Sequence, residues 1–124
     1  MPSSDEHLAK AEHNERFTRW VLRTRVKHYD WVLTGAFYAA VHYVEAVFAQ
    51  RNHHSRNHAD RDLGLGMYLP WCYVPYRKLK DLSTIARYQC AIAASPDFPR
   101  GPGAALTAVR RMSLAALGRS DHRS

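Results

Sequence analysis

Residues 31–49 are apolar at nearly every position, and this segment constrains the fold more than any other feature of the sequence. At about 1.5 Å of rise per residue, a helix of that length could cross a bilayer. The segment also contains His42 and Glu45, and an ionised glutamate inside a lone membrane span is costly. No other segment could serve as a partner span. We therefore interpret it as the buried central helix of a soluble bundle.

Apolar residues recur at helical spacing in four further segments, and no segment shows the sustained alternation of a strand. We predict helices over residues 7–27, 31–50, 58–65, 75–92 and 104–117. Asp30 is the expected N-cap of the second helix, Gly64 and Gly66 are expected to end the third, and Pro75 suits the first turn of the fourth.

The remaining segments complete the predicted fold. Residues 67–74 are expected to form a loop or a first helical turn, and the proline-rich residues 95–103 a loop. The prediction is an all-α fold, an antiparallel up-and-down bundle of four to five helices in one domain spanning residues 1–124. Its core covers about residues 7–117, and the tail from Gly118 is expected to fray.

The chain is basic, with 18 Lys and Arg residues against 11 Asp and Glu and a net charge of +7. A basic protein attracts polyanions such as RNA, DNA and anionic membrane surfaces, although an arginine-rich proteome would give the same charge without any such partner. With 124 residues the chain is too short for a catalytic domain and a separate regulatory one.

Cysteine usage and the N-terminus indicate a reducing compartment. Cys72 and Cys90 form no CxxC pair, and each lies among apolar or aromatic residues, where a free cysteine behaves as a small hydrophobe. The polar N-terminal residues lack the character of a secretory signal. We therefore expect a cytoplasmic protein that does not enter the membrane.

A polar break at residues 51–58 carries the strongest chemical pattern. Arg51 is followed by Asn52, and six residues separate Arg51 from His58. An arginine can hold a phosphate through two parallel hydrogen bonds, and a histidine can move a proton to or from a ribose 2′-hydroxyl or a leaving oxygen. Together they could support RNA cleavage without a metal. The alternative is a solvated loop in a chain with many Arg and His residues.

Two further polar patterns leave alternatives open. Tyr38, His42 and Glu45 share a face of the central helix, where they could line a ligand cleft or form a structural network with Arg87 or Tyr88. The second pattern is a histidine group whose helical spacing could hold zinc, although the segment has no cysteine and few carboxylates. This group consists of His53, His54 and His58.

A group of aromatic residues follows the third predicted helix, namely Tyr68, Trp71, Tyr73 and Tyr76. Such residues can stack bases in proteins that bind single strands. They are also enriched at the centres of protein interfaces, which favours a dimer interface here.

Several of these segments resemble small bacterial HEPN-like proteins. Residues 29–46, from Tyr-Asp-Trp-Val to Tyr-Val-Glu-Ala, look like the central helix of that family. The histidine-rich turn with His58 and Arg61 is similar, as is the segment from Tyr76-Arg77-Lys78-Leu79 to Tyr88. The resemblance covers about residues 8–88.

The resemblance implies a helical bundle, usually dimeric, in a family that includes many ribonucleases of toxin–antitoxin or phage-defence systems. The family's nuclease motif is an Arg, often followed by a polar residue, and then a His, with four to six residues between the Arg and the His. Arg51-Asn52 with His58 matches this pattern at its longest spacing, although here it follows the second helix and not the last ones. Other members bind RNA or nucleotides without cleavage, or accompany a nucleotidyltransferase.

These arguments give a set of expected site residues. Arg51 and His58 are the expected catalytic pair, and no cofactor or metal is expected. The expected substrate-binding residues are Asn52, His54, Arg56, Arg61 and Glu45. The expected partners are RNA or a nucleotide, a second copy of the chain, and an antitoxin or nucleotidyltransferase. The alternative function is a non-catalytic module that binds RNA, a nucleotide or a protein.

Overall fold

Residues 1–24, 28–88, 98 and 100–121 are described by the structure, a computed structural model. These residues form five α-helices and no strand: α1 (Ser4–Arg23), α2 (Tyr29–Gln50), α3 (His58–Tyr68), α4 (Tyr73–Tyr88) and α5 (Pro102–Ala116). A short 3₁₀ helix, Pro70–Cys72, joins α3 to α4. The predicted all-α bundle is therefore confirmed.

Helix α2 is the centre of the bundle and contacts α1, α3, α4 and α5. In the described part of the chain it is the one helix long and apolar enough to cross a membrane. Within its most apolar stretch of 18 residues, 83% is buried inside the structure. Helices in the cores of soluble proteins pass the same test of length and composition. The prediction of a buried central helix is confirmed.

Contacts between side chains show that neighbouring helices run antiparallel. Ser4 near the start of α1 donates to the carbonyl of Ala46 near the end of α2, and Thr18 lies against Gly35. Arg87 near the end of α4 donates to Tyr38 in the first half of α2. Arg119, just after α5, pairs with Asp5 near the start of α1, so helices α1, α2, α4 and α5 alternate in direction, while α3 packs on α2 as an additional element.

The observed ends of α1 and α2 correct two predictions. Ser3 caps α1 with a capping box, in which Ser3 and Glu6 each accept a hydrogen bond from the other's backbone N–H, so the helix begins at Ser4. Helix α2 begins at Tyr29 after His28, so Asp30 is not the N-cap but lies in the first turn, where a carboxylate complements the helix dipole. The predicted part of α1 at residues 25–27 lies outside the described residues.

We predicted that α3 ends at Gly64 and Gly66, but the helix continues to Tyr68. A Cβ atom at Gly64 would lie 2.9 Å from the ring carbons of Phe48, so the glycine allows α3 to pack closely on α2. Residues 67–74 accordingly form the last turn of α3, the 3₁₀ helix and the start of α4, in place of the expected loop. Pro75 does lie in the first turn of α4, as predicted.

The end of the chain packs against the bundle as far as it is described. Helix α5 begins at Pro102, two residues before the predicted start, because a proline is tolerated at the first helical position. We expected the tail to fray from Gly118, whereas Arg119 pairs with Asp5 and Asp121 accepts a hydrogen bond from Arg110. Residues 89–97 and 122–124, which include Cys90, lie outside the described residues.

Candidate functional site

The turn after α2 is built by Asn52, which has a φ of 57°. Its backbone N–H donates to the carbonyl of Ala49 at 3.1 Å, and the N–H of His53 donates to that of Phe48 at 2.9 Å. This pair of bonds is the Schellman arrangement, in which a residue in the left-handed region ends a helix. Asparagine tolerates that region better than most residues, so reversal of the chain explains Asn52 at this position.

Arg51 and His58 lie at opposite ends of α3. The exposed guanidinium of Arg51 lies over the ring of Tyr68, with its Cζ 5.6 Å from the ring centre, and Tyr68 is the last residue of α3. His58 is the first residue of that helix, and ten residues of helix correspond to about 15 Å. Within one chain, the structure therefore does not bring the expected catalytic pair together.

The residues between them have mostly local partners. Asn57 caps α3 by accepting from the backbone N–H of Asp60 at 2.9 Å. Arg56 pairs with the Asp60 carboxylate at 3.0 Å, and so belongs to the same turn. His54 is half-buried and lies close enough to His7 of α1 for its charge to lower the pKa of that histidine. Arg56 therefore contributes to the start of α3 and not to the cluster described below.

Four basic side chains gather where α3 and α4 approach α2, and we call His58, Arg61, Lys80 and Arg87 the basic cluster. The ring of His58 stacks on the buried ring of Phe37 with their centres 6.3 Å apart, and the guanidinium of Arg87 lies 5.9 Å from the same ring centre. The ring of Phe37 thus provides an apolar surface against which His58 and Arg87 pack. Lys80 pairs with Asp62 at 3.6 Å.

Arg61 fixes the orientation and proton position of His58. Nη1 of Arg61 lies 3.1 Å from Nδ1 of His58. A guanidinium has no acceptor, so Arg61 donates, Nδ1 accepts, and the neutral ring carries its proton on Nε2. Partial burial lowers the pKa of His58, and the positive charges of Arg61, Lys80 and Arg87 lower it further. The imidazole is therefore neutral near pH 7, where it can accept a proton.

Beneath the cluster lie buried polar groups that are poorly paired. Nε of Arg61 is 3.9 Å from Oε1 of Glu45, an ion pair too long to be a hydrogen bond. Among the described residues these two atoms and the hydroxyl of Tyr76 have no hydrogen-bond partner. Burial raises the pKa of Tyr76 to about 12, so its hydroxyl stays protonated. Buried polar groups without partners are unusual in native proteins and often mark functional sites.

Arg87 is held among aromatic rings. It donates to the hydroxyl of Tyr38 at 2.9 Å and lies over the rings of Tyr38 and Tyr88, 5.5 Å and 5.0 Å from their centres. No carboxylate lies within ion-pair distance of Arg87 among the residues that the structure describes. Its charge is thus oriented by the rings but not neutralised by a described neighbour.

A histidine pair adjoins this polar centre on its other side. Nδ1 of His7 and Nδ1 of His42 are 3.0 Å apart, so one nitrogen donates and the other accepts. Burial lowers the pKa of His42 to about 4, with a further contribution from the charge of His7, and burial also lowers the pKa of His7. The pair is therefore neutral at neutral pH and joins α1 to α2.

Of the expected site residues, the structure brings together His58, Arg61 and Glu45. Sequence reasoning missed Lys80 as a site residue and considered Arg87 only as a structural partner of the central helix. A signal for both was present, because Tyr76, Lys80, Ser83 and Arg87 recur at helical spacing on one face of α4. Polar residues on a stripe that otherwise packs inward indicate a polar junction between helices.

A second polar network lies on the opposite side of α2, between α1 and α5. Buried Glu15 accepts hydrogen bonds from Tyr43, at 2.6 Å, and from Arg110, which also donates to Asp121 at 3.2 Å. This network borders a cavity of about 390 Å³. Its charges are paired with one another, unlike those beneath the basic cluster.

The predicted aromatic group does not form one patch. Tyr76 is buried and Tyr68 packs between Phe48 and His53, whereas Trp71 is 75% exposed. Other exposed apolar side chains lie along α3 and at the start of α4, namely Leu63, Met67, Tyr73 and Val74. An apolar surface of this kind is typical of a protein interface.

The histidine group does not converge as metal ligands: within the described ranges, no three His, Cys, Asp or Glu side chains are grouped to hold a metal ion. Cys72 is free and buried, and burial raises the pKa of its thiol to about 12. No family model matches the chain, and comparisons with curated proteins and with solved structures gave no match.

Proposed function

We propose that this protein binds single-stranded RNA through the basic cluster. The observation that carries the proposal is the convergence of His58, Arg61, Lys80 and Arg87, in which the His58 ring and the Arg87 guanidinium both lie against the ring of Phe37. Guanidinium groups hold phosphates through two parallel hydrogen bonds, and cationic grooves beside aromatic rings bind flexible strands. The net charge of +7 and the HEPN resemblance support the same proposal.

The charge distribution favours Arg87 as the main phosphate contact. Glu45 and Asp62 lie within ion-pair distance of Arg61 and Lys80, respectively, and partly neutralise them. Among the described residues Arg87 has only uncharged partners, which are aromatic side chains and the backbone carbonyl of Ser83, so a phosphate there would gain a full charge interaction. The rings also hold the guanidinium in place, which lowers the entropy lost on binding.

The test is binding of a fluorescently labelled, single-stranded RNA pool in EDTA, followed by anisotropy at several salt concentrations. We expect the affinity to fall steeply between about 50 and 200 mM salt, because bound RNA releases counterions. Arg87→Gln should weaken binding about tenfold and reduce the salt slope by about one. Arg77→Gln is the matched control, since Arg77 lies on the same helix but is exposed and paired with Asp81. Equal binding by both variants would refute the proposal.

A second candidate function is RNA cleavage without a metal, and the contact between His58 and Arg61 favours it. A neutral imidazole could take the proton of a ribose 2′-hydroxyl when Arg61 turns from Nδ1 to the phosphate. The 2′-oxygen would then form a bond to phosphorus as the bond to the 5′-oxygen breaks, and the leaving 5′-oxygen would take a proton from solvent, which gives a 2′,3′-cyclic phosphate and a 5′-hydroxyl. The arginine would stabilise the charge on the phosphate.

The experiment for this candidate compares two arginines. Wild-type protein, His58→Ala, Arg51→Ala and Arg61→Ala are incubated with the RNA pool in EDTA, and the products are separated by size. Loss of cleavage in His58→Ala and Arg61→Ala alone would assign the role to Arg61. Loss in His58→Ala and Arg51→Ala alone would support the pairing expected from the sequence. No cleavage by wild-type protein leaves RNA binding as the function.

We also propose that the chain forms a homodimer. The exposed apolar residues Leu63, Met67, Trp71 and Val74 lie on consecutive turns and support a contact between two copies. Light scattering after size-exclusion chromatography should give twice the mass of the chain. Trp71→Glu should halve that mass, whereas Trp20→Glu, an exposed tryptophan on α1, should leave it unchanged.

A further inference from the structure

A small cavity opens between the first turns of α2 and the last turns of α4. It has a volume of about 170 Å³ and is lined by Asp30, Trp31, Thr34, Ala86 and Arg87. Trp31 is 57% exposed, so much of its flat indole ring is available to a ligand. Arg87 belongs to both this cavity and the basic cluster.

The two charged groups of the cavity do not pair with each other. Among the described residues, the Asp30 carboxylate forms no ion pair within 4.0 Å, and neither does Arg87. Opposite charges that share a cavity usually meet unless the local geometry holds them apart. Here Arg87 is held by Tyr38, while Asp30 is fixed in the first turn of α2. The cavity therefore presents separate donor and acceptor groups to a ligand.

We propose that this cavity binds a guanine base of single-stranded RNA, an inference that rests on the proposed function. Indole and guanidinium planes both stack on bases. A carboxylate offers two acceptor oxygens side by side, and guanine is the base whose Watson–Crick edge presents two adjacent donors, N1–H and the N2 amino group. Adenine, cytosine and uracil each place an acceptor beside their donor, which would face a carboxylate oxygen unfavourably.

The position of the cavity agrees with the path of a strand across the basic cluster. Lys80 precedes Arg87 by two helical turns, or about 10 Å along α4. A strand that follows α4 would place a base beside Trp31 and its neighbouring phosphates near Arg87 and Lys80. One site would then combine phosphate contacts, which give affinity for any strand, with a base contact, which gives preference for guanine.

The test compares labelled oligonucleotides of equal length and charge: oligo-uridine, and the same strand with one central guanosine, inosine or adenosine. We expect the guanosine strand to bind wild-type protein about tenfold more tightly than oligo-uridine, because a paired hydrogen-bond contact discriminates among bases by about that factor or more. Inosine lacks the N2 amino group, so the inosine strand should lose most of the gain. Adenosine should give no gain.

Two variants locate the preference in the cavity. Asp30→Asn exchanges an acceptor oxygen for a donor at almost unchanged shape, and Trp31→Ala removes the ring. Both should lose the preference for guanosine, so that the guanosine and uridine strands bind each variant with equal affinity, whatever the change in overall affinity. Trp71→Ala, which removes an exposed tryptophan of the 3₁₀ helix, and Asp81→Asn on α4 are the matched controls and should keep it.

The outcomes separate this inference from the function on which it rests. Equal affinity for the guanosine and uridine strands, or a preference that survives Asp30→Asn, would overturn the guanine site while RNA binding stands. Absence of binding to every strand would overturn both. Guanosine monophosphate tests whether a free nucleotide is the ligand. If the monophosphate binds as tightly as the guanosine strand, the proposed role of the strand is overturned.

Discussion

The polar networks on the two sides of α2 contain similar residues but differ in how completely they are paired. Between α1 and α5, Arg110 bonds to both Glu15 and Asp121, and Tyr43 donates to Glu15 as well. Between α2 and α3, Arg61 approaches Glu45 only to 3.9 Å, and the hydroxyl of Tyr76 has no hydrogen-bond partner among the described residues.

This difference suggests different roles for the two networks. A buried charge costs several kcal/mol unless its hydrogen-bonding capacity is met, so we assign the paired network a structural role in holding α5 against α1, where the loss of one partner would be costly. The loosely paired network leaves donors available beside the partly exposed basic cluster, which suits a site that acts on a ligand.

The largest effect is expected from breaking the paired network. Arg110→Met leaves the buried Glu15 carboxylate without its main cation, which should lower the free energy of unfolding by about 3–5 kcal/mol. Urea denaturation would measure the loss. Arg111→Met is the control, because Arg111 is about half exposed and 3.5 Å from Asp121, and it should cost less than about 1 kcal/mol. Similar losses in both variants would remove the distinction between the networks.

The second prediction neutralises both members of the loose pair at once. The double variant Glu45→Gln with Arg61→Gln removes both charges at nearly constant volume, so it should change stability by no more than about 1 kcal/mol. It should weaken RNA binding about fivefold, less than Arg87→Gln does, because the paired hydrogen bonds from a guanidinium to a phosphate are lost although the net charge is unchanged. Urea denaturation and anisotropy would measure the two effects. A large loss of stability with unchanged affinity would mean that this network is structural too.

The same comparison shows what the sequence could and could not predict. The apolar run of α2 and the helical spacing of the other segments determined the bundle, because burying a long apolar helix leaves few alternatives. The predicted end of α3 was wrong because we took its glycines as helix-ending residues. Gly64 instead allows close packing against Phe48, a contact that is visible only in the folded structure. Helix ends depended on caps such as Ser3, which the predicted start at residue 7 overlooked.

The candidate site was less predictable, because it depends on contacts between helices. Arg51 and His58 have the spacing of a nuclease pair, yet His58 begins α3 whereas Arg51 lies over Tyr68 at the far end of that helix. Arg61 replaces Arg51 beside His58 because three residues along a helix share a face. Lys80 and Arg87 reach the site from α4, and no local pattern in the sequence connects them to α3.

The third prediction concerns acid stability, which should depend on the histidine pair beside the loose network. Folding lowers the pKa of His42 from 6.5 to about 4, so the unfolded chain binds more protons between these values. The stabilisation is therefore present above pH 6.5 and is lost as the pH falls toward 4. Because His42 is only half-buried, we expect a loss of about 1 kcal/mol between pH 7 and pH 5, or roughly 4 °C in melting temperature. Thermal unfolding of His42→Gln should show a weaker pH dependence than wild type, whereas His13→Gln, an exposed residue of α1, should match wild type.

The smallest effect is expected from His58, whose protonation would add one charge to the basic cluster. The pKa of His58 is lowered by partial burial and by Arg61, Lys80 and Arg87, so the ring is neutral near pH 7 and gains a proton below its ordinary value of 6.5. A bound phosphate opposes those positive charges and so favours the protonated ring. RNA affinity should therefore rise about threefold between pH 7.5 and pH 5.5. His58→Gln should abolish this rise, whereas His28→Gln, an exposed residue before α2, should preserve it. An equal rise in both variants would place the titrating group outside the cluster, and the loosely paired network would lose its link to binding.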